Sequence, residues 1–302
     1  MTTPIRVGTR RSALARAQTA LVLGRLRHAD PSATFELVAL DSAGDRERST
    51  VAPLDFTGIF EEMLSRDRID LAVHSAKDLP ARTPSQFTIF AYPPRADVRD
   101  CLVARHVLRG GRLPLRARVG SSSLRRRAQL LRWRPDLEVV EVRGNVDTRI
   151  GLVRSQSVDA VALAVSGISR LGRQAEISYV LPVGRFLPAP GQGALALEGR
   201  REDRRVRRLA GTIDSPNARA AVTAERELAA TLGGDCHLPL GALARVHERR
   251  LVLRAEVLSP DGTIGLAASG SDSLANAGHL GRQVGRSLRA AGARELLAQS
   301  PR

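Results

Sequence analysis

One pattern limits the fold more than any other. Through the first two-thirds of the chain, apolar runs at 35–40, 69–73, 87–92, 101–104, 137–142 and 158–165 alternate with helical patterns at 12–27, 56–66, 123–132 and about 147–156. A short apolar run between polar turns reads as a buried strand, and apolar residues three and four apart read as one face of a helix. Alternation of the two predicts α/β layers, since each helix must bury its apolar stripe against a sheet. The first unit begins at once, where Ile5-Arg6-Val7-Gly8 runs into a helix with Leu14, Ala17 and Leu21 on one side. Residues 1–29 carry several Arg and no Asp or Glu, as a transit peptide would, but this strand–helix pattern places them in the mature fold.

Two Pro- and Gly-rich segments interrupt the alternation: Pro93-Pro94, and the stretch from Leu187 to Gly193 (LPAPGQG). Read as an outward and a return crossing, they imply two lobes facing a cleft. After Ser215-Pro216 the pattern changes. A helix over about 217–232 closes at Gly233-Gly234, strands alternate around the turn Ser259-Pro260-Asp261-Gly262, and a final helix covers about 272–298. The expected boundaries are 1–94 with about 195–212 for one lobe, about 97–190 for the other, and about 216–302 for a small α+β domain.

Charge narrows the function. The 302 residues hold 47 basic side chains against 31 acidic ones, a net charge of +16 and an isoelectric point near 11.4; every basic residue is Arg except Lys77. That surplus points first to a polyanion partner. Aromatic residues are only 3% of the chain, however, so stacking platforms for nucleic-acid bases are scarce, and no zinc-finger or RNA-recognition pattern occurs. A dedicated nucleic-acid reader is therefore excluded, while a binder of small anions is not. The densest basic stretch, Arg200 to Arg208, reads as a solvated helix face with opposite-charge pairs. No apolar run approaches the roughly 18 residues of a membrane span. The two cysteines, Cys101 and Cys236, are too few for a disulfide framework and point to a reducing, cytoplasmic setting. The six histidines do not group with them at metal-ligand spacing, so no metal site is expected.

Three times a strand ends in a turn of Gly, small polar residues and Arg before a helix starts: Val7 to Ser12, Val119 to Arg127, and Val142 to Arg149. Free N–H groups at a helix start receive anions, and the guanidinium fork matches a carboxylate with two hydrogen bonds. Such turns gather at the carboxyl ends of the strands, where α/β proteins bind ligands. The GxxxxGK[ST] pattern of nucleoside-triphosphate binders is missing. A multi-carboxylate or phosphate ligand fits these features. The run Ile69 to Pro80 (IDLAVHSAKDLP) adds a possible chemical centre. An apolar strand there ends in Lys77 and Asp78, at the cleft mouth.

Together, the motifs VGTRRSALARAQT (7–19), DLAVHSAKDLP (70–80), GSSSLRRRAQLL (120–131), RGNVDTR (143–149), LAVSGISRLG (163–172), PAPGQGALALE (188–198) and TAERELAATLGGDCHLPLGA (223–242) strongly resemble the porphobilinogen deaminase (hydroxymethylbilane synthase) family. The resemblance runs from Arg6 to about Arg294. It implies two lobes of the periplasmic-binding-protein type with mixed sheets, plus a small α+β domain. It also implies a dipyrromethane cofactor held by a thioether on Cys236, and head-to-tail condensation of four porphobilinogen molecules with loss of ammonia. Asp78 matches the catalytic aspartate. Lys77, Ser123, Arg125 and Arg126 match cofactor-binding positions, with Ser122 beside them. Arg10, Ser12, Arg143, Arg149 and Arg170 match substrate-binding ones. The expected enzyme is a cytoplasmic monomer, with porphobilinogen as its substrate and no nucleic-acid or membrane partner.

Two departures stand out. The stretch Pro53 to Phe60 (PLDFTGIF) lacks the lysine that many family members carry there, and Asp235 replaces a common glycine before Cys236. They leave one rival reading, a divergent non-catalytic anion binder. Cys236 and Asp78 argue against it, since a pure binder needs neither an attachment point nor a carboxylate among arginines.

Overall fold

The computed structural model describes residues 3–40, 57–233 and 238–298. In chain order it begins with β1 (Ile5–Arg10), α1 (Ala13–Ala29), β2 (Phe35–Leu40), α2 (Gly58–Ser65), β3 (Leu71–Ser75) and β4 (Phe87–Ala91). Next come β5 (Asp100–Ala104), β6 (Arg118–Gly120), α3 (Leu124–Trp133), β7 (Glu138–Val140), α4 (Val146–Arg154), β8 (Ala160–Ala164), α5 (Val165–Arg170) and β9 (Tyr179–Val180). The last third holds β10 (Leu195–Arg200), α6 (Arg204–Gly211), α7 (Pro216–Leu232), β11 (Leu240–His247), β12 (Arg250–Leu258), β13 (Gly265–Ser273), α8 (Ala277–Ala290) and α9 (Ala293–Ala298). The chain divides into two compact units. One is Met1–Arg95 with Ala194–Arg219, and the other is Ala96–Gly193 with Ala220–Arg302.

The first unit is built on a five-stranded sheet in the order β2-β1-β3-β10-β4. β1 runs parallel to both β2 and β3, and β10 returns antiparallel between β3 and β4. Both faces are covered, as a sheet with parallel strands requires. Val22, Leu23 and Leu26 of α1 and Val206 and Leu209 of α6 bury Val7, Leu71 and Val73 on one face. Phe60 and Leu64 of α2 cover Ala72 with Leu40, Ile69 and Phe87 on the other. The two-residue period of β3 thus divides its side chains between two cores.

The second unit contains another five-stranded sheet, ordered β7-β6-β8-β5-β9, with β6 parallel to β7 and β8 and with β5 antiparallel to β8 and β9. Leu130 of α3 packs on Val119, Ala160 and Leu102, while Ile150 of α4 and Ile168 of α5 pack on Cys101, Val103 and Val161. A three-stranded antiparallel sheet, β11-β12-β13, carries α7, α8 and α9 over a core of its own. Buried Glu225 of α7 accepts hydrogen bonds from the Gly191 N–H (2.6 Å) and the Ala244 N–H (2.7 Å), which ties the 187–193 segment to β11.

Two expectations change. The last helix starts at Ala277 rather than near 272, because Gly265–Ser273 pairs along its length with β12. It also breaks at Gly292, whose φ of 95° ends the helix before α9. The Arg200–Arg208 stretch is a solvated face as expected, with Arg201, Arg204, Arg205, Arg207 and Arg208 exposed, but the opposite-charge pairs found there among the described residues are those of Arg200. Arg200 bonds Asp70 and Asp203, but Arg201 donates to the Ser85 and Phe87 carbonyls, Arg205 to the Thr3 carbonyl and Arg207 to the Arg201 carbonyl. Among the described residues no helix is long and apolar enough to cross a membrane.

Candidate active site

In the first unit, the pairing of Val7 with Leu71 and of Gly8 with Ala72 brings the carboxyl ends of β1 and β3 side by side. Arg10 closes β1. Ser12 then caps α1, its Oγ accepting from the Ala15 N–H at 3.3 Å. Gln18, one turn and a half later, donates through Nε2 to Ser75 Oγ at 2.9 Å and fixes α1 to the end of β3. Ala76–Asp78 follows as a single 3₁₀ turn, anchored by the Ala76 N–H on the Ala194 carbonyl (3.0 Å). That turn holds Lys77 and Asp78, both half-buried. Asp78 makes no hydrogen bond or ion pair among the described residues, so its carboxylate stays available. Beneath the turn, buried His74 meets Glu198 (Nε2 to Oε2, 3.0 Å) and the edge of the Phe60 ring.

In the second unit, the parallel strands β6, β7 and β8 end together, and each leads into a helix. Ser123 caps α3, accepting from the Arg126 N–H at 3.4 Å, and Asn145 caps α4, accepting from the Thr148 N–H at 2.9 Å. Gly144 holds a φ of 100°, and a side chain there would strike Thr148 as well as demand left-handed backbone. This tight turn brings Arg149 back over β6, where Nη2 donates to Ser122 Oγ (3.0 Å) and Nε to the Gly144 carbonyl (2.9 Å). Burial, and then the positive charge of Arg126, lower the Arg149 pKa below the usual guanidinium range. No carboxylate bonds Arg149 among the described residues. Arg170, at the end of α5, donates to the Gly193 carbonyl at 2.7 Å, and Arg143 pairs with exposed Glu141 at 3.0 Å.

Arg125 and Arg126 lie deeper. They are 3% and 7% exposed, and both bind Asp100, the first residue of β5, which is 1% exposed. Burial alone would raise the Asp100 carboxyl, but the charges of the two arginines outweigh it and hold it far below the usual range. The sequence reading missed Asp100. Its signal was an acid opening the apolar run Cys101 to Val103, since Asp is almost never fully buried unless paired. Cys101 is fully buried, and burial followed by the nearby Asp100 charge pushes its thiol up to about 12. That makes it an inert thiol. The other cysteine, Cys236, lies with Asp235 and His237 outside the described residues, as do 53–56 of the lysine-free stretch. Among the described residues no three His, Cys, Asp or Glu side chains group as metal ligands.

The second unit, with arginines and capped helix starts at the ends of its parallel strands, suits a carboxylate ligand; the first unit holds an acid beside a lysine in one turn. A family model described as "Porphobilinogen deaminase, dipyromethane cofactor binding domain" matches residues 5–208, and "Porphobilinogen deaminase, C-terminal domain" matches 219–290. A porphobilinogen deaminase of Acidithiobacillus ferrooxidans is 41% identical over 300 residues, covering 97% of each chain. One of Mycobacterium tuberculosis is 43% identical over 305 residues, covering 97% of this chain and 98% of the other. Among solved structures, a periplasmic substrate-binding protein from Coxiella burnetii aligns over 70% of this chain and 92% of its own, with 14% identity and a TM-score of 0.45. Two family models over nearly the whole length, with relatives of matching extent, decide between a catalyst and the non-catalytic binder. The chain belongs to the porphobilinogen deaminase family, a family of transferases.

Proposed function

We propose that this chain condenses four porphobilinogen molecules head to tail, with release of ammonia, to give the linear tetrapyrrole hydroxymethylbilane, and that Asp78 carries the chemistry. When ammonia leaves the aminomethyl group of porphobilinogen, positive charge develops on the pyrrole and spreads to the ring nitrogen. A carboxylate held against that N–H stabilises the charge and takes part in moving the proton. The observation that carries this role is the Asp78 carboxylate, uncommitted to any described partner at the end of β3 and next to the chain's single lysine.

Porphobilinogen bears an acetate and a propionate, and a dipyrromethane bears two of each. The second unit supports the latter: Arg149 bonds the Ser122 hydroxyl and the Gly144 carbonyl, with no acid bonded to it among the described residues. Lys77, Ser123, Arg125 and Arg126 would serve the dipyrromethane carboxylates, and Cys236 would hold the group through a thioether. Bound there, it supplies the pyrrole carbon to which the first substrate unit is joined. Arg10, Ser12, Arg143, Arg149 and Arg170 would orient substrate carboxylates. The three-domain division, with boundaries near 94, 190 and 216, belongs to the same reading, as do a cytoplasmic monomer and the lack of nucleic-acid or membrane partners. The three separate sheets support the domain division, and the scarcity of cysteine supports a reducing compartment.

The test is incubation of the purified protein with porphobilinogen, following substrate loss and ammonia release. One ammonia per porphobilinogen consumed is expected, and no turnover by a protein carrying the cofactor overturns the reading. Intact-protein mass tests the attachment. An excess of two pyrrole units is expected on the native chain and none on Cys236→Ser.

A further inference from the structure

We propose that the second unit carries a binding site, separate from the turns at its strand ends, for a small aromatic molecule bearing one carboxylate. The site is a cleft of about 490 Å³ between the C-terminal half of α3, the 184–185 turn and β12, lined by Gln129, Arg132, Trp133, Gly184, Arg185 and Glu256. None of these residues has a part in the proposed reaction.

Close backbone packing fixes the walls. The turn between β12 and β13 lies on α3, where a side chain at Gly262 would come within 2.3 Å of the Ala128 carbonyl oxygen and one at Gly265 within 2.2 Å of Arg132 Nη1. Glycine at both positions is what allows this approach. Arg132 then reaches across to β12, its Nη1 donating to Glu256 Oε1 at 2.8 Å. Trp133 packs edge to face against Phe186, with centroids 5.5 Å apart and planes at 83°. It is only half-buried, so ring surface is left to line the cleft. Gln129, 3% exposed, is bonded to the Leu187 carbonyl and to Arg125 Nη1, both at 3.0 Å, and serves as wall.

The charges choose the ligand. Arg132 and Arg185 bring positive charge to the cleft and Glu256 brings negative. Glu256 is bonded to Arg132, whereas Arg185 is exposed and its guanidinium meets no carboxylate among the described residues. One guanidinium fork is therefore open in the same cleft as the chain's single tryptophan. Such a fork takes a carboxylate with two hydrogen bonds, and an indole offers a flat apolar face to an aromatic ring. An aromatic wall with a few fixed polar anchors is the usual make-up of a small-ligand site. Glu256 limits the charge of the occupant. A ligand with two carboxylates, as porphobilinogen has, would bring the second into a cleft that already holds an acid, at a like-charge cost.

Trp133 is also the reporter, since no other residue of the chain is tryptophan. The probes are 4-nitrobenzoate, its neutral analogue 4-nitrobenzamide and the dicarboxylate 5-nitroisophthalate, nitroaromatics that quench indole emission on contact. Free N-acetyltryptophanamide corrects for light absorbed by the probe. Saturable quenching by 4-nitrobenzoate is expected, with the amide and the dicarboxylate each bound about fivefold more weakly, and Arg185→Gln should weaken 4-nitrobenzoate by a similar factor. Glu256→Gln removes the competing acid, so it should tighten 4-nitrobenzoate about twofold and 5-nitroisophthalate more. Circular dichroism checks that each variant is folded, and should Glu256→Gln fail, Arg185→Gln on its exposed side chain decides. Quenching that rises linearly without saturating overturns the inference. So does an amide or dicarboxylate bound as tightly as the monocarboxylate, wild-type affinity in Arg185→Gln, or no tightening in folded Glu256→Gln. Porphobilinogen turnover plays no part in these titrations, so their outcome is independent of the proposed function.

Discussion

In the proposed reaction the chemistry falls on Asp78, where a change from carboxylate to amide should be decisive. Asparagine keeps the shape of the carboxylate and loses its charge, so the developing pyrrole cation loses its counter-ion while the fold of the 3₁₀ turn is kept. Asp78→Asn is expected to lower kcat by about 10²–10⁴-fold with KM changed far less, as for loss of a group acting mainly in the transition state. Steady-state rates of porphobilinogen consumption check it, and a variant within tenfold of wild type removes Asp78 from that role. The sequence pattern marked Asp78 only as a possible chemical centre, where a strand-like run ends in the only lysine and an adjacent acid; its proposed role came from the resemblance to porphobilinogen deaminases. Asp100 was not legible. Nothing local shows that an acid at the head of an apolar strand will meet two arginines from a helix 25 residues later. Such a pairing is created by the sheet order, not by spacing.

At the scale of the element, the recurring device is a capped helix start carrying arginine. Ser12, Ser123 and Asn145 each satisfy an N–H that the helix leaves unpaired, and each sits within a few residues of a proposed anion-binding Arg. The cap and the site share one turn, so a cap variant should disturb both. Asn145→Ala is expected to destabilise the second unit by about 1 kcal/mol, the usual worth of a cap. It should also raise KM for porphobilinogen more than it lowers kcat, because Arg149 leans on the same turn through the Gly144 carbonyl. Thermal melting and steady-state kinetics separate the two effects, and a loss of stability with unchanged KM breaks the link. The caps could be read from Ser and Asn before helical patterns, and helix starts fell within about two residues of expectation. The last helix was misjudged because β13, from Gly265 to Ser273, is rich in Gly, Ala and Ser and lacks the strand residues that mark most strands. Only its pairing with β12 makes it one.

For the whole molecule, the arginine surplus is spent partly on holding the strands, and that has a pH signature. In the first unit, Asp70 accepts from the Arg6 backbone N–H and side chain and from Arg200 Nη2, joining β1, β3 and β10 at one end of the sheet. Burial would raise the Asp70 carboxyl, but these hydrogen bonds prevail and bring it down to about 2. A carboxyl depressed in the folded state adds stability that is complete above its unfolded pKa of about 4 and is lost as pH falls through the folded value. The Asp70 contribution should therefore be constant between pH 5 and 7 and be lost from about pH 4 to pH 2, with Asp100 in the second unit adding to the slope in the same direction. With solvent screening allowed for, the Asp70 share is about 1 kcal/mol. Urea midpoints measured at pH 6 and pH 3 should differ less in Asp70→Asn than in wild type, because the variant has already lost that share at both values. An equal difference in the two proteins would mean that the Arg6–Asp70–Arg200 network does not titrate with folding, and that the acid sensitivity resides elsewhere, with Asp100 the next carboxylate to remove.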